Sequence, residues 1–174
     1  MIVRLTEAAD RAAALAALEE IFFASSVRTT FASDAERAAF LRTWTGWYFD
    51  HAPHDVLFQR DADGRIAGYL TGCRDSAGAA ELFRTIPKYD AFADLFPRFP
   101  AHLHVNVRPD RRGTGVGATL VEAFAADCRA DGRPGVHVVT GAGARNVPFY
   151  TRNGFTEAVR RGPLLFLGRV LCAT

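Results

Sequence analysis

The sequence predicts a mixed α/β fold, an α+β arrangement in which a central mixed sheet of six or seven strands is flanked by about four helices. Strand-like and helical segments follow in the order β-α-α-β-β-loop-β-α-β-α-β-β, and helices alternate with strands only in the second half. This order favours a mixed sheet over a fully parallel one. The 174 residues suit one domain over 1–174, because such a chain buries about 70% of its unfolded surface.

Composition excludes several classes of protein. Hydrophobic residues make up 49% and charged residues 23%, which is typical of globular proteins. A formal net charge of +2 gives no indication of nucleic acid binding. No apolar run is long enough to span a membrane and no signal-peptide pattern opens the chain. Three widely spaced cysteines, Cys73, Cys128 and Cys172, fit a reducing compartment, so we expect a cytoplasmic protein.

The first half of the chain begins with a strand-like run at residues 2–5 and continues with two helices. Thr6 can cap an alanine-rich helix over residues 8–23. The capping box formed by Ser33 and Glu36 opens the second helix. Aromatic residues at helical spacing predict a buried stripe on this second helix. They are Phe40, Trp44, Trp47 and Tyr48.

A hairpin and an irregular stretch come next. Residues 56–59 and 66–71 are strand-like and flank a polar turn that contains an Asp-Gly pair. Residues 81–99 are rich in aromatics and prolines, which predicts irregular structure with one or two helical turns.

The second half alternates strands with helices. We expect strands at 102–107, 136–140, 155–160 and 164–171, and helices at 114–131 and 147–153. Apolar residues four apart predict the buried stripe of the longer helix. They are Val116, Leu120, Phe124 and Cys128.

A glycine-rich turn between the strand at 102–107 and the following helix is the most informative segment. Gly113, Gly115 and Gly117 let the backbone approach a ligand closely, and the first N–H groups of a helix have no partner within it. Those donors and the positive end of the helix dipole form an anion site, for which a diphosphate is the natural guest. Nearby arginines add positive charge. They are Arg108, Arg111 and Arg112.

Two nucleotide-binding motifs compete for this turn. A P-loop requires a lysine after the glycines, and none is present. The dinucleotide fingerprint G-x-G-x-x-A fits residues 113–118, but it needs its first glycine directly after the strand, and residues 109–112 intervene here. The next strand ends in Thr140 and Gly141, where that fingerprint needs an acidic residue. The residues that follow Gly117 are too few to form most of a doubly wound sheet.

A third pattern fits better. Arg112-x-x-Gly115-x-Gly117 resembles the R/Q-x-x-G-x-G/A motif of the GCN5-related N-acetyltransferase (GNAT) superfamily. Residues 146–155, Asn-Val-Pro-Phe-Tyr-Thr-Arg-Asn-Gly-Phe, look like its N-x-x-F-Y-x-x-x-G-F stretch. The resemblance covers nearly the whole chain and implies the GNAT fold. Residues 100–105 and 135–137 most resemble the acetyltransferase-like domain of O-GlcNAcase and its bacterial relatives.

The resemblance implies acetyl-CoA (coenzyme A) as co-substrate, with no metal. Backbone N–H groups of the turn would bind the pyrophosphate, Arg112 would support the turn or touch phosphate, and Asn146 would contact the pantetheine arm. The strand backbone would pair with that arm like an added strand. The cofactor-binding residues implied are Val105, Val107, Arg112, Gly113, Thr114, Gly115, Val116, Gly117, Ala118 and Asn146.

The resemblance also implies catalytic residues. Tyr150 would be the general acid that protonates the leaving thiolate. The positions where many relatives carry the base hold Ala101 and Leu103, which cannot accept a proton. His104 is the first candidate base and His102 the second, each turned to the required face by a β-bulge, and a water-mediated route stays open.

The implied activity is that of an acyltransferase of class EC 2.3.1.-, which transfers an acetyl group to an amine by direct attack in a ternary complex. The expected partner is a small-molecule or peptide amine, and we expect binding to neither nucleic acid nor a membrane. Whether the protein forms a homodimer is left open. The alternatives are a catalytically inactive CoA-binding or protein-interaction module and a dinucleotide-binding fold.

Trp47 and Tyr48, with Asp50 and Asp55 nearby, would form an acidic, aromatic-walled pocket for a cationic acceptor, although the same aromatics suit the core.

Overall fold

The sheet has seven strands, in the order β1-β2-β3-β4-β5-β7-β6, in a computed structural model that describes residues 1–85 and 88–171. The strands are β1 (Ile2–Arg4), β2 (Val56–Arg60), β3 (Ile66–Cys73), β4 (Ala101–Val107), β5 (Gly135–Gly141), β6 (Glu157–Arg161) and β7 (Leu164–Val170). β4 pairs with β5 in parallel, whereas the β1–β2, β2–β3, β5–β7 and β6–β7 pairs are antiparallel. The predicted mixed α/β sheet is therefore confirmed, with seven strands.

Five α-helices accompany this sheet in the part of the chain that the structure describes. They are α1 (Arg11–Ser25), α2 (Asp34–His51), α3 (Ala80–Thr85), α4 (Val116–Ala130) and α5 (Val147–Arg152). Four were predicted as helices, and α3 lies in the stretch 81–99, where one or two helical turns were expected. Part of that stretch, residues 86–87, and Cys172 lie outside the described residues. None of the described helices combines the length and the apolarity that a membrane span requires.

Helix capping explains where α1 and α2 begin. The Asp10 carboxylate accepts a hydrogen bond from the Ala13 N–H at 2.9 Å, so α1 begins at Arg11. Thr6, the predicted cap, lies instead in a short 3-10 turn over Leu5–Glu7, and that prediction is wrong. Ser33 caps α2 as predicted, because its hydroxyl accepts from the Glu36 N–H at 3.2 Å. The other half of the predicted capping box differs, because the Glu36 carboxylate accepts from the Ala32 N–H at 2.6 Å.

The described residues form two compact units. The first comprises Met1–Gly72 and His104–Glu122, and its core includes Leu18, Tyr48 and Phe58. Close packing in this unit depends on Gly68 of β3. A Cβ at Gly68 would lie 2.8 Å from Val116 Cγ1 and 3.0 Å from the Asn106 carbonyl oxygen. The start of α4 can therefore pack on the sheet only while this position lacks a side chain.

The second unit comprises Cys73–Leu103 and the described residues from Ala123 onward. Phe99 fills its core, where a Cβ at Gly135 or Gly168 would come within 2.6 or 2.8 Å of the ring. His137 is fully buried, and its Nδ1 donates to the Phe99 carbonyl at 2.6 Å. Its ring stacks on Phe166 at a centroid distance of 4.8 Å. This histidine is therefore a satisfied core residue.

Candidate active site

The turn between β4 and α4 holds the glycine motif in an open, left-handed conformation. Gly113 and Gly115 have φ angles of +78° and +88°, which disfavour any residue with a side chain. Among the described residues, no heavy atom lies within 4 Å of a Cβ built at either glycine. Space for a ligand therefore exists beside both glycines.

Hydrogen-bond donors face this turn at the start of α4. The N–H of Thr119 donates to the Gly115 carbonyl at 3.0 Å, an i→i−4 bond of the helical type. The N–H groups of Val116, Gly117 and Ala118 stand one turn too early to have such a partner within the helix. Together with the helix dipole they suit an anion, so the residues present fit the diphosphate of a coenzyme.

Two of the neighbouring arginines are held by carboxylates. Arg108 and Arg111 donate to Asp61 at 2.9 and 3.3 Å, and Arg108 also donates to Asp110 at 2.6 Å. Burial favours the neutral form of Asp61, but hydrogen bonds from Arg108 and from the Arg65 backbone hold the pKa of this carboxyl below its usual value. These arginines thus fasten the β2–β3 turn to the end of β4.

Arg112 makes contacts that support the glycine turn. Its Nε donates to the Val107 carbonyl at 3.2 Å. Its Nη2 donates to the Ala24 carbonyl at 3.3 Å and to the Ser25 hydroxyl at 3.2 Å, both in the last turn of α1. One guanidinium therefore ties the turn to the end of β4 and to the end of α1.

The backbone of β4 has one edge directed away from β3. The Arg108 N–H donates to the Ala67 carbonyl of β3 at 2.9 Å. Because hydrogen-bonding groups alternate in direction along a strand, Asn106 and Arg108 direct theirs toward β3. Val105 and Val107 direct theirs away from it.

His104 and Asn106 lie on one face of β4 in the first unit. His104 is half-buried, with its ring 6.1 Å from that of Tyr48 in an edge-on arrangement. Burial lowers the pKa of His104 to about 4, because the protonated ring is poorly solvated there. The Asn106 side chain donates to the Tyr69 hydroxyl at 2.8 Å. The imidazole of His104 is therefore neutral at pH 7.

His102 lies in the core of the second unit. It is 1% exposed, and a 2.8 Å hydrogen bond joins its Nδ1 to the Ser76 hydroxyl. Its ring centroid is 5.8 Å from that of His137. This is the environment of a packed, hydrogen-bonded core histidine.

Tyr150 and Asn146 lie in the second unit, in α5 and at its N-terminal cap. Tyr150 is 5% exposed and packs edge-on against Phe149 and Phe155. Burial raises the pKa of its phenol above the usual range, so the hydroxyl keeps its proton. The Asn146 side-chain oxygen accepts from the Thr140 hydroxyl at 3.0 Å.

A cavity of about 350 Å³ in the first unit is called here the aromatic pocket. It is lined by Phe22 and Ser25 of α1, Phe40 and Trp44 of α2, Asn106 of β4 and the connecting residues 26–28. The helical spacing of aromatic residues on α2 predicts a core stripe and does not reveal that two of these residues line a cavity.

Among the described residues, Tyr48 and Asp50 are not placed as the expected acidic pocket requires. Tyr48 is fully buried in the core, and the Asp50 carboxylate is bound by Arg42 of the same helix at 2.8 Å. Trp47 stacks on His51 at 5.1 Å. Tyr48 is therefore a core residue and not a pocket wall, and that part of the acceptor hypothesis is wrong. Among the residues that the structure describes, no group of histidine, cysteine and carboxylate side chains has the arrangement of a metal site.

Comparisons with known proteins agree with this geometry. The acetyltransferase (GNAT) domain model matches residues 53–157. The crystal structure of SsHAT is 23% identical, with a TM-score of 0.74 over 99% of this chain and 98% of that one. A phosphinothricin acetyltransferase from Sinorhizobium meliloti, in complex with AcCoA, is 21% identical, with a TM-score of 0.60 over 98% of this chain and 88% of that one.

A ribosomal-protein-alanine N-acetyltransferase from Brucella melitensis is 20% identical, with a TM-score of 0.61 over 98% of this chain and 99% of that one. These structural neighbours share the fold, and the family model covers more than half of the chain, including the glycine turn. The chain is therefore a member of the GNAT family of N-acetyltransferases, which are acyltransferases that use acetyl-CoA.

Proposed function

We propose that this protein transfers the acetyl group of acetyl-CoA to a primary amine by direct attack in a ternary complex. The observation that carries the proposal is the open, left-handed turn of Gly113 and Gly115 before the N-terminus of α4. That turn precedes N–H donors that have no partner within the helix, and Gly113 and Gly115 place no side chain in front of them, which is what a diphosphate requires.

The cofactor residues follow from the turn and from β4. The N–H groups over Gly113, Thr114, Gly115, Val116, Gly117 and Ala118 would bind the pyrophosphate. Arg112 would keep the turn in place through its three contacts. The edge of β4 at Val105 and Val107 would pair with the pantetheine arm. Asn146 uses its amide oxygen for Thr140, and its amide nitrogen is the donor that we assign to the arm.

His104 is the proposed general base. An amine with a pKa near ~10.4 is protonated at neutral pH and must lose a proton for its nitrogen to attack. The imidazole of His104 is neutral above about pH 4, so it is in the form that accepts a proton. The same low pKa limits the driving force for taking a proton from an ammonium group, so we assign to His104 the proton that the already deprotonated amine loses as its nitrogen attacks. His102 is less suited, because its ring is buried in the core and bonded to Ser76.

Tyr150 is the proposed general acid. When the thioester bond breaks, the sulfur gains negative charge, and a neighbouring hydroxyl that holds its proton can donate it. The raised pKa of Tyr150 keeps the proton on its hydroxyl at neutral pH. The raised pKa also limits the driving force for proton transfer to the sulfur. We therefore expect the contribution of Tyr150 to the rate to lie in the lower part of the usual range for general acid catalysis.

Calorimetric titration and a thiol-release assay test the proposal. We expect acetyl-CoA to bind, NAD not to bind, and CoA to be released only when an amine acceptor is present. Tight binding of NAD without binding of acetyl-CoA would overturn the assignment. Binding of acetyl-CoA without turnover over a broad panel of amines and peptides would favour the alternative of a catalytically inactive CoA-binding module.

A further inference from the structure

We infer that the acceptor amine is attached to an apolar, ring-sized group that packs in the aromatic pocket of the first unit. The inference rests on the proposed acetyl transfer and narrows the class of its acceptor. The pocket, of about 350 Å³, is at the small end of the usual range for small-molecule sites, which is about 300–1,000 Å³. Its size suits one ring with a short chain rather than a large polar scaffold.

The walls of the aromatic pocket are rings that the fold leaves half-buried. Phe22 and Phe40 lie 5.8 Å apart between ring centroids, and Phe40 and Trp44 lie 6.3 Å apart. All three are intermediate in exposure, and Val27 at the rim is fully exposed. Burial of this apolar surface by a ligand is favourable in proportion to the area removed from water. An apolar group on the acceptor therefore gains binding free energy from this burial, whereas a polar group does not.

The charge around the aromatic pocket disfavours a polycationic acceptor. Arg28 is the ionised side chain among the lining residues, and none of the described lining residues is acidic. The Arg28 guanidinium bonds the Glu36 carboxylate and lies 4.5 Å from the centre of the Phe31 ring. Glu36 also accepts from the Ala32 N–H, and these two contacts hold the pKa of its carboxyl below the usual value. A second ammonium group on the acceptor would therefore find no carboxylate to pair with in this wall.

Strand β4 connects the aromatic pocket with the proposed general base. Asn106 lines the pocket, and His104 lies two residues earlier on the same face of the strand. The hydrogen bond to Tyr69 holds the Asn106 side chain in position. A ring in the pocket can thus place an amine on a short chain near the proposed base. This joins the binding surface and the proton acceptor within one unit.

A free small amine and the N-terminal residue of a peptide share this chemistry, namely a primary amine next to an apolar ring. Steady-state kinetics with 2-phenylethylamine, phenylalanyl-glycinamide and spermidine distinguish them. We expect at least one of the two ring-bearing amines to exceed spermidine in kcat/KM by about tenfold or more. The ratio between the two ring-bearing amines identifies the source.

Variants of the pocket wall test its role. Trp44→Ala and the milder Phe40→Leu are expected to raise the KM for the preferred amine by about tenfold or more, with the KM for acetyl-CoA unchanged. Trp47→Ala is the matched control, since Trp47 is a half-buried tryptophan of α2 that stacks on His51 and does not line the pocket. Thermal unfolding verifies that each variant is folded. Val27→Glu alters a fully exposed rim residue, so it still tests the pocket if a ring variant unfolds. We expect it to shift the acceptor preference, measured as kcat/KM, toward spermidine.

Preference of the wild-type protein for spermidine, or equal losses in Trp44→Ala and Trp47→Ala, would overturn the inference while leaving acetyl transfer intact. Failure of acetyl-CoA to bind would overturn the proposed function instead. In that case direct calorimetric titration of 2-phenylethylamine still decides the pocket's role. Binding that Trp44→Ala weakens and Trp47→Ala does not would support the inference, and no binding to the wild-type protein would overturn it.

Discussion

Substitution of Gly115 by valine separates ligand binding from backbone strain, because α4 offers a matched glycine at its other end. Gly115 precedes the helix with φ of +88°, and Gly132 follows it with φ of +69°. Both are exposed, and no described heavy atom lies within 4 Å of a Cβ built at either position. Gly115→Val and Gly132→Val therefore impose the same kind of strain without a steric clash.

The two variants are expected to lose similar amounts of stability and to differ only in their affinity for acetyl-CoA. A left-handed conformation costs a residue with a side chain about 1–2 kcal/mol, and more when it is β-branched. In a chain of this length, that cost lowers Tm by about 2–8 °C in both variants. A hydrogen bond to a charged group contributes about 1.5–3 kcal/mol. Loss of one phosphate contact in Gly115→Val should therefore raise the Kd for acetyl-CoA by about 10- to 150-fold.

Calorimetric titration with acetyl-CoA and a thermal melt of each variant measure both quantities. We expect similar Tm losses, an unchanged Kd for Gly132→Val and a large increase for Gly115→Val. Equal acetyl-CoA affinity in the two variants would refute the assignment of the β4–α4 turn as the diphosphate site. Loss of affinity in both would show that strain, rather than an obstructed cradle, was responsible.

Three further substitutions examine the acid, the base and the packing. Tyr150→Phe should lower kcat by about 10²–10³-fold with acetyl-CoA affinity unchanged, since the lost proton donor acts only in the transition state; normal turnover would remove Tyr150 from the mechanism. His104→Gln should lower kcat/KM, and the wild-type profile should rise with amine deprotonation without an inflection at pH 6–7, because the pKa of His104 is about 4 and its protonation reduces activity only near and below that pH. An inflection at pH 6–7 that persists in His104→Gln would assign the titration to another group. Gly68→Ala should cost about 1–3 kcal/mol of stability by pressing on Val116, whereas Gly143→Ala, which meets no described heavy atom within 4 Å, should leave Tm nearly unchanged.

Local signals predicted the elements that are determined locally. The Ser33 cap, the glycine turn and the apolar stripe of α4 were all predicted, because each depends on residues within a few positions of one another. The start of α1 was misplaced for a related reason. Thr6 and Asp10 are both capping residues, and a 3-10 turn occupies the chain between them. Sequence alone does not decide which of two competing caps is used.

The aromatic walls of the pocket could not be predicted, because periodicity does not distinguish a core stripe from a cavity wall. Phe40, Trp44 and Tyr48 lie on one stripe of α2, yet Tyr48 is fully buried and the other two line the pocket. The difference arises from contacts distant in sequence. Arg37 of α2 binds Glu19 of α1 and lies 3.7 Å from the centre of the Phe23 ring. Such contacts set the separation of the two helices, and hydrophobic patterning carries no information about them.

Arg112 is the residue at which the predicted motif and the unpredicted pocket meet. In the sequence it stands three positions before Gly115, where it could equally contact phosphate or support the turn. In the structure its guanidinium reaches the Val107 carbonyl and the Ser25 hydroxyl, and Ser25 lines the aromatic pocket. One side chain therefore bonds both the proposed cofactor strand and the proposed acceptor wall. The motif arginine therefore acts as a structural link, and its charge is used for positioning before any ligand is bound.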